Sequence, residues 1–287
     1  MIYLNLPPFN PVANSVRSTT QVQRWAMTLG RILLAFPQAT ANGISKSTIT
    51  EIVVKIGARV VFGPISGTEL DKINKYRGIF DDTAHLTIDL TERDGLSVVA
   101  KEIGGFDLPA LGDEDVFVEV VNNYAGANPL SLYAMGGFTT LQFDPSKPQD
   151  RDGQLIKKVL GYQIPTSGGT SVTWMPDFKG AIVQRIHFSY AGTDWTTTAD
   201  GNLQKLEVKK NGNSIWTQIR CLDNRFIQQE QRKVPQSKFY TLDWVHDNVH
   251  SSALDTRDAR ALEFNFTLGA ADTLRALVEV LDLPRNL

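Results

Sequence analysis

The chain has 287 residues, 42% hydrophobic and 21% charged, the balance of a globular protein with room for one large domain or two ordinary ones. A net charge of −2 with a pI near 6.1 excludes a surface devoted to nucleic acid, which needs a basic stripe. A single cysteine, Cys221, excludes an internal disulfide framework and fits assembly in a reducing cytoplasm.

From the N-terminus, Met1 to Asn14 lacks the basic start and apolar run of a signal peptide. Ile32 to Phe36, the longest apolar stretch nearby, falls far short of the ~20 residues that span a bilayer. Residues 22 to 36 can be drawn as an amphipathic helix, with Val22, Trp25, Ala26, Leu29, Ile32, Leu33 and Phe36 on one face suited to lipid. A repeat in the chain favours a strand over 29 to 36 instead. The segment before it, carrying Arg17 and Arg24, is the candidate for facing a membrane or an inner neighbour.

The repeat is the strongest feature. Arg31-Ile32 and Arg185-Ile186 stand 154 residues apart, and the same shift lays Val54-Lys55 on Val208-Lys209, Ile65 on Ile219, and Thr87 and Asp89 on Thr241 and Asp243. The two-residue hydrophobic period survives the shift. Ile32, Leu34 and Phe36 map onto Ile186, Phe188 and Tyr190, with His187 and Ser189 as the polar alternates. Leu86, Ile88 and Leu90 map likewise onto Tyr240, Leu242 and Trp244. A one-residue slip would turn every core side chain outward, so three strands kept in phase predict two copies of one unit. Beyond residue 90 the offset falls to 146 for Val116, Val118 and Val120 against Leu262, Phe264 and Phe266. Loops tolerate such insertions cheaply. The longer first-copy loop, Glu92 to Asp115, is expected to be exposed.

Each copy carries one short helix. Thr68-Glu69-Leu70-Asp71 reads as a capping box, with Leu70, Ile73 and Tyr76 inward and Gly78 as the stop. Asp223 is expected to cap the second helix, with Phe226-Ile227 as its buried pair. Residues 143–154, rich in turn formers and charge, read as a linker. The predicted organisation is all-β: a first jelly roll with an N-terminal arm over 1–142, then a second over 155–287 whose first strand starts near Leu155.

The stretches Ile44 to Gly57, Ser66 to Gly78, Tyr240 to Asn248 and Ala253 to Phe266 resemble the major capsid proteins of corticovirus-type bacteriophages, tailless icosahedral phages with an internal membrane. The resemblance implies a double jelly roll and a structural, non-enzymatic role in the virion capsid. It also implies homotrimers forming pseudo-hexagonal capsomers, with neighbouring capsomers and other virion proteins as partners. An inner membrane would be touched peripherally, through the N-terminal arm. Some relatives bind calcium; no ligands carry over to this chain.

No catalytic, cofactor or metal residue is assigned. His246 and His250, near Asp247, Asp255 and Asp258, fit a polar loop better than a zinc site. His85 and His187 are expected at the surface or at edges. Cys221, aligned with Gly67, has no base set beside it and reads as a packed small residue. Ser45-Lys46-Ser47-Thr48 lacks the glycine of a phosphate loop. Asp113-Glu114-Asp115 and Asp150 to Gly153 show too few ligands for calcium and read as solvated turns. Trp216 and Trp244 take core positions, whereas Trp195 is either packed or exposed. Exposed, it would suit the alternative function, a carbohydrate-binding jelly-roll module such as a minor virion or receptor-binding protein.

Overall fold

Burying one face of each alternating strand requires a second sheet to cover it, and both halves of the chain solve that problem identically. The computed structural model describes residues 1–37, 42–93, 95–140, 155–166, 168–178, 180–284 and 286; the expected linker at 143–154 lies outside them. The first half contains β1 (Ile2–Asn5), β2 (Arg17–Val22), β3 (Thr28–Ala35), β4 (Ile49–Ile56), β5 (Arg59–Ile65), α1 (Gly67–Tyr76) and β6 (His85–Asp89). It continues with α2 (Val98–Glu102), β7 (Phe106–Asp107), β8 (Val116–Asn122) and β9 (Tyr133–Thr139). The second half contains β10 (Ile156–Ile164), β11 (Ser171–Trp174), β12 (Ile182–Tyr190), β13 (Leu203–Lys210) and β14 (Asn213–Arg220). After these come α3 (Cys221–Glu230), β15 (Phe239–Asp243), β16 (Leu254–Asp255), β17 (Leu262–Leu268) and β18 (Leu274–Asp282).

The chain forms two compact units, one of residues 1–75, 79–160 and 281–287, the other of 76–78 and 161–280. In the first half the strand orders are β1-β9-β3-β6 and β2-β8-β4-β5, the two sheets of a jelly roll. The second half repeats them as β10-β18-β12-β15 and β11-β17-β13-β14. The fold is thus a double jelly roll.

The duplication is kept in register as well as in order. Arg31 opposes Asp89 and Leu33 opposes Thr87 across β3 and β6; Arg185 opposes Asp243 and His187 opposes Thr241 across β12 and β15. The β4–β5 hairpin pairs Ile52 with Ile65 and Val54 with Phe62, with irregularities on both sides of Val54. The β13–β14 hairpin pairs Leu206 with Ile219 and Val208 with Trp216, irregular on both sides of Val208. Even the bulges are therefore shifted by 154 residues. The second hairpin turns at Asn211-Gly212, both at positive φ, the conformation that matches strand twist in a two-residue loop.

The N-terminal arm belongs to the sheets. β2 pairs β8 through Thr20 and Val118, as β11 pairs β17 through Trp174 and Phe264, and β1 lies along β9. The amphipathic-helix alternative for 22 to 36 is thereby excluded, since β3 occupies its second half. The Glu92–Asp115 loop is not simply exposed either. It carries α2 and β7 and buries Phe106, Leu108 and Leu111, because β7 pairs with β3 and draws these apolar side chains inward.

The helices close sheet edges. Leu90 N–H bonds Gly30 O and Phe36 N–H bonds Ala84 O, so even-numbered residues of β6 face β3 and Thr87 turns its carbonyl outward. Asn74 of α1 donates to that carbonyl at 2.8 Å. In the second half Gln228 of α3 donates to Thr241 O at 3.0 Å, and Asn224 does so at 2.9 Å. Asn74 and Gln228 are also 154 residues apart. A helix laid against an edge strand removes the open template that invites mispairing.

The caps differ from expectation. Ser66, not Thr68, caps α1: its N–H bonds Glu69 Oε2 at 2.9 Å while Glu69 N–H returns to Ser66 Oγ at 3.2 Å. Leu70, Ile73 and Tyr76 are buried as expected, and Gly78 sits at φ +70° beyond the helix end. Asp223 caps nothing. Asp200 serves α3 instead, accepting Leu222 N–H at 2.9 Å, and Phe226 is 67% exposed because α3 turns its polar Asn224 and Gln228 toward β15.

Asn74→Ala is expected to cost about 1 kcal/mol, the loss of a hydrogen bond to a partly buried carbonyl. Gln228→Ala is expected to cost less, because Asn224 still serves Thr241 O. Urea denaturation of the two variants checks the ranking.

Candidate functional site

A chemical site needs titratable groups that a substrate can reach, and the densest cluster here is sealed. On the second unit's β12, Gln184, Arg185 and His187 are buried, so the strand has no polar outer face. Arg185 Nε lies 3.1 Å from Asp243 and its Nη1 3.3 Å from Glu279 on β18. His187 Nε2 meets Glu279 Oε1 at 2.8 Å and its Nδ1 meets Thr241 Oγ1 at 2.9 Å. Tyr76 donates its hydroxyl to Asp243 Oδ2 at 2.9 Å and covers the His187 ring edge-on. Burial first, then the Asp243 carboxylate, push the Tyr76 phenol well above its ordinary value. The surface expectation for His187 fails because these rings and carboxylates enclose it. The cluster is a buried polar frame, held by ion pairs and hydrogen bonds among Arg185, His187, Asp243, Glu279 and Tyr76.

Two consecutive lysines form a second buried set. Lys157 and Lys158, each 1% exposed, point to opposite faces of β10. Lys157 Nζ pairs with Glu92 at 2.6 Å. Lys158 Nζ pairs with Asp282 at 3.0 Å and also donates to the carbonyls of Leu283 and Asn286. Burial draws Lys158 below the ordinary lysine value against the pull of Asp282. These pairs hold residues 156–160 and the C-terminal tail in the first unit. Neither lysines nor Glu279 stood out in sequence, although a charge inside the apolar runs Ile156–Leu160 and Leu274–Leu281 is the signal that marks them.

The remaining candidates have structural partners. His246 Nδ1 meets Asp243 O at 2.9 Å and His250 Nδ1 meets Gln184 at 3.2 Å. His85 lies beside Asp82 at 2.7 Å at the edge of its sheet. No cluster of three metal-binding side chains occurs among the described residues. Asp115 pairs with Arg24 at 2.8 Å, and Asp150 to Gly153 lie outside the described residues. Lys46 bridges Asp71 and Asp81, tying its turn to α1. Cys221 is buried, and that burial pushes its thiol up to about 11, away from the reactive thiolate.

Trp216 and Trp244 pack against the second core, where Trp174 meets Phe264 and Phe188. Trp195 is half-buried. Its Nε1–H donates to Gln236 O at 3.1 Å and the Arg225 guanidinium sits 3.4 Å over its ring, on the face a sugar would use. The arm's cations are also engaged: Arg17 with Glu51 and Glu119, Arg24 with Asp115. Exposed apolar side chains are the groups left to meet partners: Met1, Ile2 and Tyr3 by β1, Phe80, Leu96, and Phe226 with Val234.

Comparison with known proteins agrees with a structural role. The family model for the viral coat protein P2 N-terminal domain matches residues 3–142, and that for the C-terminal domain matches 156–284. Among solved structures, the major capsid protein P2 of bacteriophage PM2 superposes with a TM-score of 0.79 at 16% identity, over 98% of this chain and 97% of that one. The STIV MCP gives 0.74 at 11% identity, covering 98% and 96%. The PBCV-1 virus capsid gives 0.63 at 10% identity, covering 98% and 92%. No curated protein matches by sequence. At these identities the structural likeness speaks for the fold.

Glu279→Ala is expected to destabilise the protein by about 3 kcal/mol, since it removes one of two carboxylates from the buried Arg185 and the partner of His187 Nε2; thermal unfolding measures this. Asp272 gives an acid-pH test. Burial alone would raise its carboxyl, but Asn202 and the N–H groups of Gly192, Thr273 and Ala191 donate to it and bring it below the ordinary value. Its stabilisation is therefore complete above the unfolded carboxyl pKa of roughly 3.9 and lost as pH falls through the lower folded value. The stability gap between wild type and Asp272→Asn is expected to narrow below about pH 4.

Proposed function

We infer the role of this chain from its family, for the chain belongs to the viral coat protein P2 family, whose N- and C-terminal domains together span it. It is a structural protein of the virion capsid and not an enzyme, a major capsid protein of the double jelly-roll kind. The observation that carries this is the doubled barrel with one register, including its bulges, under both family domains.

The finer reading concerns assembly. Three copies associate as a homotrimer, and two barrels per chain give a capsomer with six barrel positions, a pseudo-hexagon that tiles an icosahedral shell. Residues 1–142 and 155–287 are the duplicated barrels and 143–154 their linker. Support comes from the 154-residue repeat, which supplies two near-equivalent lateral surfaces per chain. Neighbouring capsomers and other virion proteins are the further partners. The shell surrounds a membrane, and the N-terminal arm touches it peripherally. With Arg17 and Arg24 held in ion pairs, exposed Val16 rather than free charge would meet lipid.

Purified protein is expected to have a native mass of about 95 kDa, three times 31.8 kDa. Light scattering that shows a stable monomer at high concentration would overturn the trimer.

A further inference from the structure

The repeat assigns a contact between copies at single-residue resolution. Two of the four pairs of edge strands related through the repeat are β1 with β10, and β5 with β14; β6 and β15 are covered by the helices, and β2 and β11 form the fourth pair. In one pairing both edges are already used. The start of β10, which belongs to the first unit, runs parallel to β5, with Val159 beside Phe62 and Leu160 beside Gly63. The shifted counterparts are β1 and β14. Each ends its sheet, and among the described residues no strand lies on its outer side. Both are exposed along most of their length.

The backbone phase of β1 matches that of β10. Leu6 N–H bonds Ala134 O, so Ile2, Leu4 and Leu6 serve β9, while Tyr3 and Asn5 turn their amides to the open edge. Their counterparts, Lys157 and Val159, are the residues of β10 whose backbone or register engages the first unit: Lys157 N–H bonds Gly104 O and Val159 opposes Phe62. An open row of donors and acceptors is a template for another strand. Met1, Ile2 and Tyr3 beside β1 add exposed apolar area, and Ile215 does so on β14.

We propose that β14 of one copy pairs in parallel with β1 of a second copy, with Trp216 beside Asn5 and Thr217 beside Leu6. The occupant of each edge is thus a second copy of this chain. The two edges differ, so the contact is head-to-tail, and a head-to-tail contact repeated by rotation closes a ring. This rests on the self-assembly reading above and gives it an address.

Two experiments test it. Asn5→Cys and Trp216→Cys are made in separate chains, mixed, assembled and oxidised. Adjacent strands bring such residues within the 4.4–6.8 Å Cα range of a disulfide, and the buried Cys221 stays out of the reaction. A reducible dimer band is expected from the mixture and from neither variant alone. Asn5→Pro supplies the second arm, removing an outward donor while leaving the β9 ladder intact. It is expected to stay folded, by circular dichroism, but to scatter as a 31.8 kDa monomer. A native mass near 95 kDa in both arms without the cross-link would overturn the pairing and leave the trimer standing. Wild-type protein that stays monomeric would overturn the trimer reading itself.

Discussion

Every sheet ends in a row of unpaired N–H and C=O groups, and most of this chain's less obvious features answer that constraint. The outer carbonyl of β6 is met by Asn74, and that of β15 by Gln228 and Asn224. This explains why each barrel carries a helix at that edge, and why α1 and α3 are amphipathic in an unusual sense. Their inward faces include amides because an edge strand offers polar groups, not only apolar side chains. The outer side of β5 is met by β10. Among the described residues β1, β11 and β14 end their sheets with no further strand beyond them.

The two halves share a frame and differ in what is buried on it. Arg31 opposes Asp89 and Arg185 opposes Asp243, so the same charged pair sits at the same place in both barrels. The second adds His187 and Glu279, turning a cross-strand pair into a larger buried network. Such a network contributes uniqueness of packing more than net stability, because desolvation offsets much of the Coulomb attraction. Lys157 and Lys158 are another departure. Their counterparts in β1 are Tyr3 and Leu4, which hold no ion pair.

Much of the architecture was legible in sequence wherever core positions were apolar. Ile32 to Phe36 and Ile186 to Tyr190 kept their period through the shift, and the paired register followed. The first strands were hidden for a physical reason. On β2 the inward residues include Ser18 and Thr20, both buried, and Thr20 satisfies its hydroxyl on Pro7 O at 2.6 Å. A core position filled by a hydrogen-bonded threonine leaves no hydrophobic period to find. Phe226 misled in the opposite direction, as an exposed aromatic on a helix whose buried side is polar. The enclosure of His187 depends on Tyr76 and Glu279, more than ninety residues away on either side. No local pattern could announce it.

The lysine pair at the start of β10 also bears on how a duplicated chain ages. Once Lys157 and Lys158 had taken partners at Glu92 and Asp282, residues 156–160 and the C-terminal tail became part of the first barrel's own body. Splitting the gene at the boundary between repeats would then yield no pair of self-sufficient barrels. One fragment would lack the strand beside β5, and the other would lose the Lys157–Glu92 pair while keeping Lys158 with Asp282. The two repeats are in that sense no longer separable at the point where their sequences divide.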